Sequence, residues 1–147
     1  MRFSNTCILP FVLIMVMFLS LCSLGLGLSK KHLHIINDLS SDTSLTLHRK
    51  SKDDDIGNHD LAFQQDLGWS FRDNFFHTTL FWCFMQWYDP TTNCWVHKSF
   101  DVYEARKWKE DQYHCIDCFW SIRKDGIYRN SHQNCEGFEF IHMWDKC

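Results

Sequence analysis

The sequence predicts an all-β protein, a small secreted antiparallel β-sandwich of about seven or eight strands, stabilised by disulfides. Three observations lead there. Apolar and polar residues alternate with period two through most of the chain beyond residue 29, and no stretch of helical length carries a 3.6-residue apolar stripe. Short alternating runs are separated by Gly, Pro, Asn and Asp, the punctuation of an antiparallel β protein. Six cysteines, Cys83, Cys94, Cys115, Cys118, Cys135 and Cys147, follow an N-terminal export signal, and an even count in an exported domain reads as a disulfide framework.

The signal comes first in the chain. Met-Arg is followed by a nearly uncharged run from Thr6 to Ser29, with an apolar centre over residues 8–24 and then Gly25 and Gly27. A charged start, an apolar centre and small residues behind it describe a secretory signal peptide, placed here at residues 1–28. The same run, residues 8–28, is just long enough to span a bilayer core as an uncleaved anchor; the short core and the glycines favour cleavage. Residues 29–147, about 120 in number, then suffice for one domain that buries around two-thirds of its unfolded surface.

HLHIIN (32–37) is the first expected strand. In SLTLHRKS (44–51), Leu45, Leu47 and Arg49 share one face, because alternate strand residues point to opposite sides. HDLAFQ (59–64) directs Leu61 and Phe63 inward, and LGWSF (67–71) aligns Leu67, Trp69 and Phe71. TTLFWCFMQW (78–87) is the longest and most apolar strand. Its face bearing Thr79, Phe81, Cys83, Met85 and Trp87 points inward, leaving Leu80, Trp82 and Phe84 on the other side. Those three are either covered by long side chains or a loop, or form an exposed aromatic patch of the kind that docks a partner. WVHKSFDVY (95–103), DCFWSIRK (117–124) and GFEFIHMW (137–144) complete the set. Lys124-Asp125-Gly126 predicts a tight hairpin turn, since Asp-Gly supplies the positive φ values such a turn needs. Asp89-Pro90-Thr91-Thr92-Asn93 predicts a longer one. EARKWKED (104–111) has helical propensity but a single large apolar residue, Trp108, and reads as a loop or one short turn.

The composition excludes several functions. The signal carries only Arg2, so the mature charge is about −4 with histidine neutral, one unit below the −3 of the whole chain. Nucleic acid and polybasic membrane contacts both need a basic patch, and none is present. No direct membrane insertion is expected after signal cleavage. In HRKSKDDDIGNHDL (48–61), the consecutive Asp53, Asp54 and Asp55 lack the alternate spacing and closing glutamate of an EF-hand, and Lys50 and Lys52 weaken the local field. The stretch reads as a solvated inter-strand loop turning at Gly57. Cys115 and Cys118, with His132 and Cys135, have zinc-like and redox-like spacing, but export and the absence of a βαβ framework favour structural disulfides. Nine histidines are dispersed, with no G-x-S-x-G or H-E-x-x-H motif. No enzyme activity, cofactor or metal is expected.

The succession LTLHRKSKDDDIGNHDL, LGWSFRDNFFHTTLFWCFMQW, FDVYEARKW and CIDCFWSIRKDGIY resembles the plant self-incompatibility S-protein homologues, from His34 to about Tyr128. That resemblance implies a small, secreted, disulfide-bonded β-sandwich; the best-studied members are stigma ligands recognised by a pollen membrane receptor. The family tract of serine, lysine, three acids, Leu or Ile and glycine falls on Ser51 to Gly57, and the paired later cysteines fall on Cys115 and Cys118. Family members usually carry cysteine directly after the histidine of the second strand, where this chain has Arg49. The register aims Arg49 at the core, and an unpaired buried charge is costly. Arg49 is therefore expected at the strand end, reaching outward beside an acid of the next loop. Cys83 and Cys118, both expected to face the core, are the first candidate pair.

These readings converge on a monomeric, extracellular, non-enzymatic recognition protein whose partner is a membrane receptor or a cell-wall component, in pollen–stigma recognition or a related process. The alternative is a secreted hydrolase or defence protein without a recognisable motif. The contact elements are the loops at 53–58, 89–93 and 104–112. The candidate partner-binding residues are Asp53, Asp54, Asp55, Trp82, Phe84 and Trp108, the aromatics as anchors and the charges as selectors.

Overall fold

The computed structural model describes residues 29–106, 115–131 and 137–145. These residues form nine strands: β1 (Lys30–Asn37), β2 (Leu45–Ser51), β3 (Asp55–Leu61), β4 (Asp66–Arg72), β5 (Leu80–Asp89), β6 (Cys94–Glu104), β7 (Asp117–Arg123), β8 (Gly126–Ser131) and β9 (Glu139–His142). They make two sheets, one of five strands in the order β4-β1-β7-β8-β9 and one of four in the order β3-β2-β5-β6. The all-β sandwich is as the sequence predicts, with one strand more and one departure from the antiparallel rule. β1 lies parallel to β7, from His32 beside Asp117 to Asn37 beside Ile122. A parallel pair needs a long connection, and the strands β2 to β6 provide it.

The core lies between the sheets. β1 contributes Leu33 and Ile35, β2 Leu45 and Leu47, β5 Cys83, Met85 and Trp87, and β7 Cys118, Trp120 and Ile122, all buried. In β4 the predicted alternation holds: Leu67, Trp69 and Phe71 pack against the core while Asp66, Gly68, Ser70 and Arg72 face solvent. Side-chain hydrogen bonds to backbone carbonyls tie one sheet to the other and satisfy polar groups out of reach of water. Trp120 Nε1 donates to Val102 O at 3.1 Å. The fully buried Asn37 side chain donates to Thr43 O and Leu61 O and accepts from Leu39 N.

The third strand begins earlier than alternation indicates. It runs Asp55–Leu61, and Phe63, expected inward, is 37% exposed in the turn that follows. That turn is closed by Gln65 N on Ala62 O and by Gln64 N on Asn37 O. Gly57, expected as a loop pivot, sits within β3 at φ 93° opposite Arg49, where the β2–β3 register shifts. A bulge with a left-handed glycine lets a polar edge strand keep pairing. The charged stretch is therefore mostly strand, and only residues 52–54 form the turn. The predicted hairpin does form: Lys124 and Asp125 connect Arg123 to its cross-strand partner Gly126.

The expected outward position of Arg49 is overturned. Its guanidinium lies 4.4 Å from the Trp69 ring centroid, across the sandwich on β4. The β2–β5 register holds it inward opposite Cys83, and the flat cation stacks on an aromatic face where it finds no acid. The pairing of Cys83 with Cys118 is overturned too. Cys118 is bonded to Cys115, and Cys83 is a free, buried thiol because Arg49 occupies the place opposite it. Cys94 is disulfide-bonded. Cys135 and Cys147 lie outside the described residues.

Candidate functional site

The starts of β1, β3, β5 and β7 and the ends of β2, β4 and β6 meet at one pole of the sandwich. The loop from β4 to β5, residues 73–79, crosses from one sheet to the other there. Its base is anchored by charge. Asp73 pairs with Lys31 Nζ at 3.1 Å and accepts from the Tyr103 hydroxyl at 2.7 Å, and Lys31 also donates to Tyr103 at 2.7 Å. Burial and the Asp73 carboxylate push the Tyr103 phenol far above its ordinary range, so it remains a donor to Asp73.

Asn74 then builds the loop itself. Its backbone N–H donates to Thr79 Oγ1, its side-chain amide donates to Thr78 Oγ1, and its side-chain oxygen accepts from Thr78 N. His77, at φ 51°, closes the turn through its N–H to Asn74 O. Asparagine suits this role because its short side chain mimics a backbone turn. Between the two pinned ends, Phe75 and Phe76 stand 74% and 78% exposed, with ring centroids 5.5 Å apart in an edge-to-face arrangement.

A cleft of about 320 Å³ beside this loop is lined by Lys52, His77, Thr78, Leu80, Glu104 and Arg106. It joins the 52–54 turn to the end of β6. Asp53 and Asp54 are exposed on that turn, which Ser51 braces by N–H to Asp54 O at 2.8 Å and by its hydroxyl accepting from Asp54 N at 3.0 Å. Asp55 behaves differently from its two neighbours. It sits on β3, accepts from His48 Nε2 at 2.6 Å and pairs with Lys50 at 3.3 Å. The His48 hydrogen bond is the main cause that holds its carboxyl below the usual carboxylate range.

Trp82 and Phe84 lie on the outer face of the four-stranded sheet, Trp82 half-buried and Phe84 38% exposed. Phe84 tilts toward His97 with centroids 6.0 Å apart, and further along the face Tyr88 meets Trp95 at 5.6 Å. Of the face expected to be either covered or an exposed patch, Leu80 and Trp82 are partly covered and Phe84 is exposed, and the exposed part continues as a strip ending in Trp95, itself 54% exposed. Trp108 and most of the 104–112 loop lie outside the described residues. The expected contact loops do not all converge. Residues 52–54 and 104–106 share the first pole, whereas the β5–β6 loop lies at the opposite one. There Asp89 accepts from Thr91 N, Thr91 Oγ1 and Thr92 Oγ1, which lower its pKa.

Sequence reasoning missed Phe75, Phe76 and Trp95. Two adjacent phenylalanines cannot both point inward from extended chain, so the Phe75-Phe76 pair, falling between strand end and strand start, was a usable signal. Trp95 alternates with the inward Cys94 and Val96 and is legible once the β6 register is known. The Cys115–Cys118 bridge joins two fully buried cysteines. Among the described residues no group of three or more potential metal ligands occurs.

The sequence profile of the plant self-incompatibility protein S1 family matches residues 32–144. S-protein homolog 29 of Arabidopsis thaliana is 36% identical over 113 residues, 77% of this chain and 72% of that protein. S-protein homolog 18 of the same plant is 36% identical over 132 residues, 87% of this chain and 89% of its own. Self-incompatibility protein S1 of Papaver rhoeas is 35% identical over 95 residues, 64% of this chain and 63% of its own. A solved structure of a self-incompatibility protein homologue, described as one of a widespread family of small, highly stable, secreted plant proteins, superposes with a TM-score of 0.55. It covers 82% of this chain and 98% of that one at 18% identity, a likeness of fold. With a profile spanning nearly the whole sandwich and relatives identical at more than a third of the aligned residues, the chain belongs to the plant self-incompatibility S-protein homologues, a family of small secreted all-β proteins.

Proposed function

We propose that this protein is an extracellular, non-enzymatic ligand, released by cleavage after residue 28 and recognised at another cell's surface by a membrane protein or wall component. One observation carries the reading: the charged 52–54 turn, the end of β6 and a braced loop bearing two exposed aromatics are gathered at one pole of a sandwich. A rigid frame that presents irregular connections is suited to recognition, because the loops vary without disturbing the core. The relative named Self-incompatibility protein S1 supports recognition between cells as the process. Asp53, Asp54 and the Trp82–Phe84 face extend the contact surface, the aromatics supplying area and the charges selecting the partner.

The test is binding of the purified, labelled mature protein to right-side-out plasma-membrane vesicles and to isolated wall fragments of plant tissue. Saturable binding supports the reading, and its loss on protease treatment of the vesicles identifies a membrane protein. Absence of saturable binding to both preparations, or turnover in a panel of hydrolase substrates that disappears on a single histidine substitution, overturns it. Unchanged binding by a folded Trp82→Ala, Phe84→Ala double variant removes that face from the contact.

A further inference from the structure

We infer that the β4–β5 loop is the principal anchor of this recognition surface. Phe75 and Phe76 enter an apolar pocket of a protein partner, and the adjoining cleft receives a carboxylate of that same partner. The inference deepens the ligand reading above and rests on it.

Three features point to this occupant. The first is exposure without disorder in the bonding. Phe75 and Phe76 are 74% and 78% exposed, yet the loop that carries them is braced at both ends by the Lys31–Asp73–Tyr103 cluster and by the Asn74 bonds to Thr78 and Thr79. An aromatic held in its docking position loses little conformational freedom on binding, which is where preorganised anchors gain affinity. The second is geometry. The two rings meet edge to face at 86°, so together they form a short, thick projection that fits a concavity better than a flat surface. The third is charge. The cleft beside the projection is lined by two cations, Lys52 and Arg106, and one carboxylate, Glu104, with His77 and Thr78 as further polar groups. Two cations to one acid leave the cleft complementary to an incoming carboxylate, and a planar guanidinium grips a carboxylate in a fixed direction.

A lipid surface fits less well. Two phenyl rings bury less hydrocarbon than one fatty chain, which alone gives only marginal, reversible anchoring. The net negative charge of the chain also disfavours approach to an anionic bilayer.

The experiment compares the mature protein with Phe75→Ser/Phe76→Ser and Lys52→Glu/Arg106→Glu variants. The probes are the same plasma-membrane vesicles, the same vesicles after protease treatment, and protein-free vesicles of phosphatidylcholine and phosphatidylserine. All four substituted side chains are solvent-facing, so thermal melts of the variants are expected to match the wild type. The expected result is protease-sensitive binding that each double variant weakens by at least about tenfold, more steeply with added salt for the wild type than for Lys52→Glu/Arg106→Glu. Wild-type binding retained in full by the phenylalanine variant overturns the anchor while leaving the ligand reading intact. Phenylalanine-dependent binding to the protein-free vesicles overturns the protein pocket in favour of lipid. Absence of any saturable wild-type binding overturns the ligand reading and this inference with it.

Discussion

Arg49 of β2 stands directly opposite Cys83 of β5, and both side chains turn toward the space between the sheets. Burial disfavours the charge of the first and pushes the thiol of the second up to about 12. In this chain the residue opposite Cys83 is a cation that reaches past it to the opposite sheet and stacks on Trp69. Arg49 Nε is left without a hydrogen-bond partner, which makes the arrangement dependent on the indole face.

Arg49→Cys is expected to form a bridge to Cys83 on air oxidation. Cross-strand neighbours lie within the Cα range that disulfides accept, and the change also removes a half-buried charge. Denaturant unfolding with and without reductant should differ by about 2–4 kcal/mol in the variant. No difference, with both thiols still titratable in denaturant, contradicts the cross-strand placement.

Trp69→Ala is expected to cost about 3–5 kcal/mol, from the lost aromatic volume together with a cation deprived of its only face. Arg49→Met should cost under about 1.5 kcal/mol, because a neutral side chain of similar length needs no such partner. Equal destabilisation by the two in urea titrations refutes the dependence.

Asp73→Ala leaves Lys31 nearly buried without its counter-charge and takes the acceptor from Tyr103. The expected loss is about 3–5 kcal/mol, against about 1 kcal/mol for Tyr103→Phe, which removes one hydroxyl. Amide exchange at residues 74–78 should accelerate in the first variant only.

Gly126→Ala should destabilise the β7–β8 hairpin. A methyl there would sit 2.4 Å from Phe140 Cε2 and 2.9 Å from the carbonyl oxygen of His142; the exposed ring can swing aside, but the carbonyl cannot retreat without moving β9. Overpacking of this kind costs about 1–3 kcal/mol. A melting temperature equal to the wild type contradicts the placement of β9.

Acid should weaken the fold through His142. Burial is the largest cause lowering its pKa, with Lys98 and Arg129 adding to it, while Asp101 and Asp145 oppose; its ring packs 4.8 Å from Phe100. The unfolded histidine binds a proton near pH 6.5 and the folded one only at lower pH. Between those values the unfolded state holds more protons, so the contribution is complete above about pH 6.5 and is lost as pH falls through the folded pKa. His142→Asn should flatten the stability profile in that window and leave the carboxylate-driven loss at lower pH unchanged. A parallel profile in the variant refutes the assignment.

Alternation made much of the sandwich legible. It assigned both faces of β5 and the inward set of β4, and Asp-Gly located the β7–β8 turn, because these depend on neighbours in sequence. It failed where a distant strand decides. The start of β3 was hidden because Asp55 to Asp60 pack on an edge strand, where polar side chains meet water and a Gly57 bulge keeps the ladder paired. The parallel β1–β7 contact and the inward path of Arg49 depend on partners far along the chain. Within the candidate site, Asp53 and Asp54 were found as exposed charges. Asp55 turned out to be engaged by His48, and the Phe75-Phe76 loop emerged only once both of its anchors were in place.

The parallel pairing of β1 with β7 has a consequence for how the molecule comes into being. β1 is an interior strand of its sheet, bonded to β4 on one side and to β7 on the other, yet some eighty residues separate it from the second of these neighbours. Half of its ladder stays empty until the chain has emerged almost to its end, and closing so large a loop is slow. A polypeptide that cannot complete one of its two sheets early remains threadable for longer, a kinetic property suited to a protein that must cross a membrane before it takes its final shape.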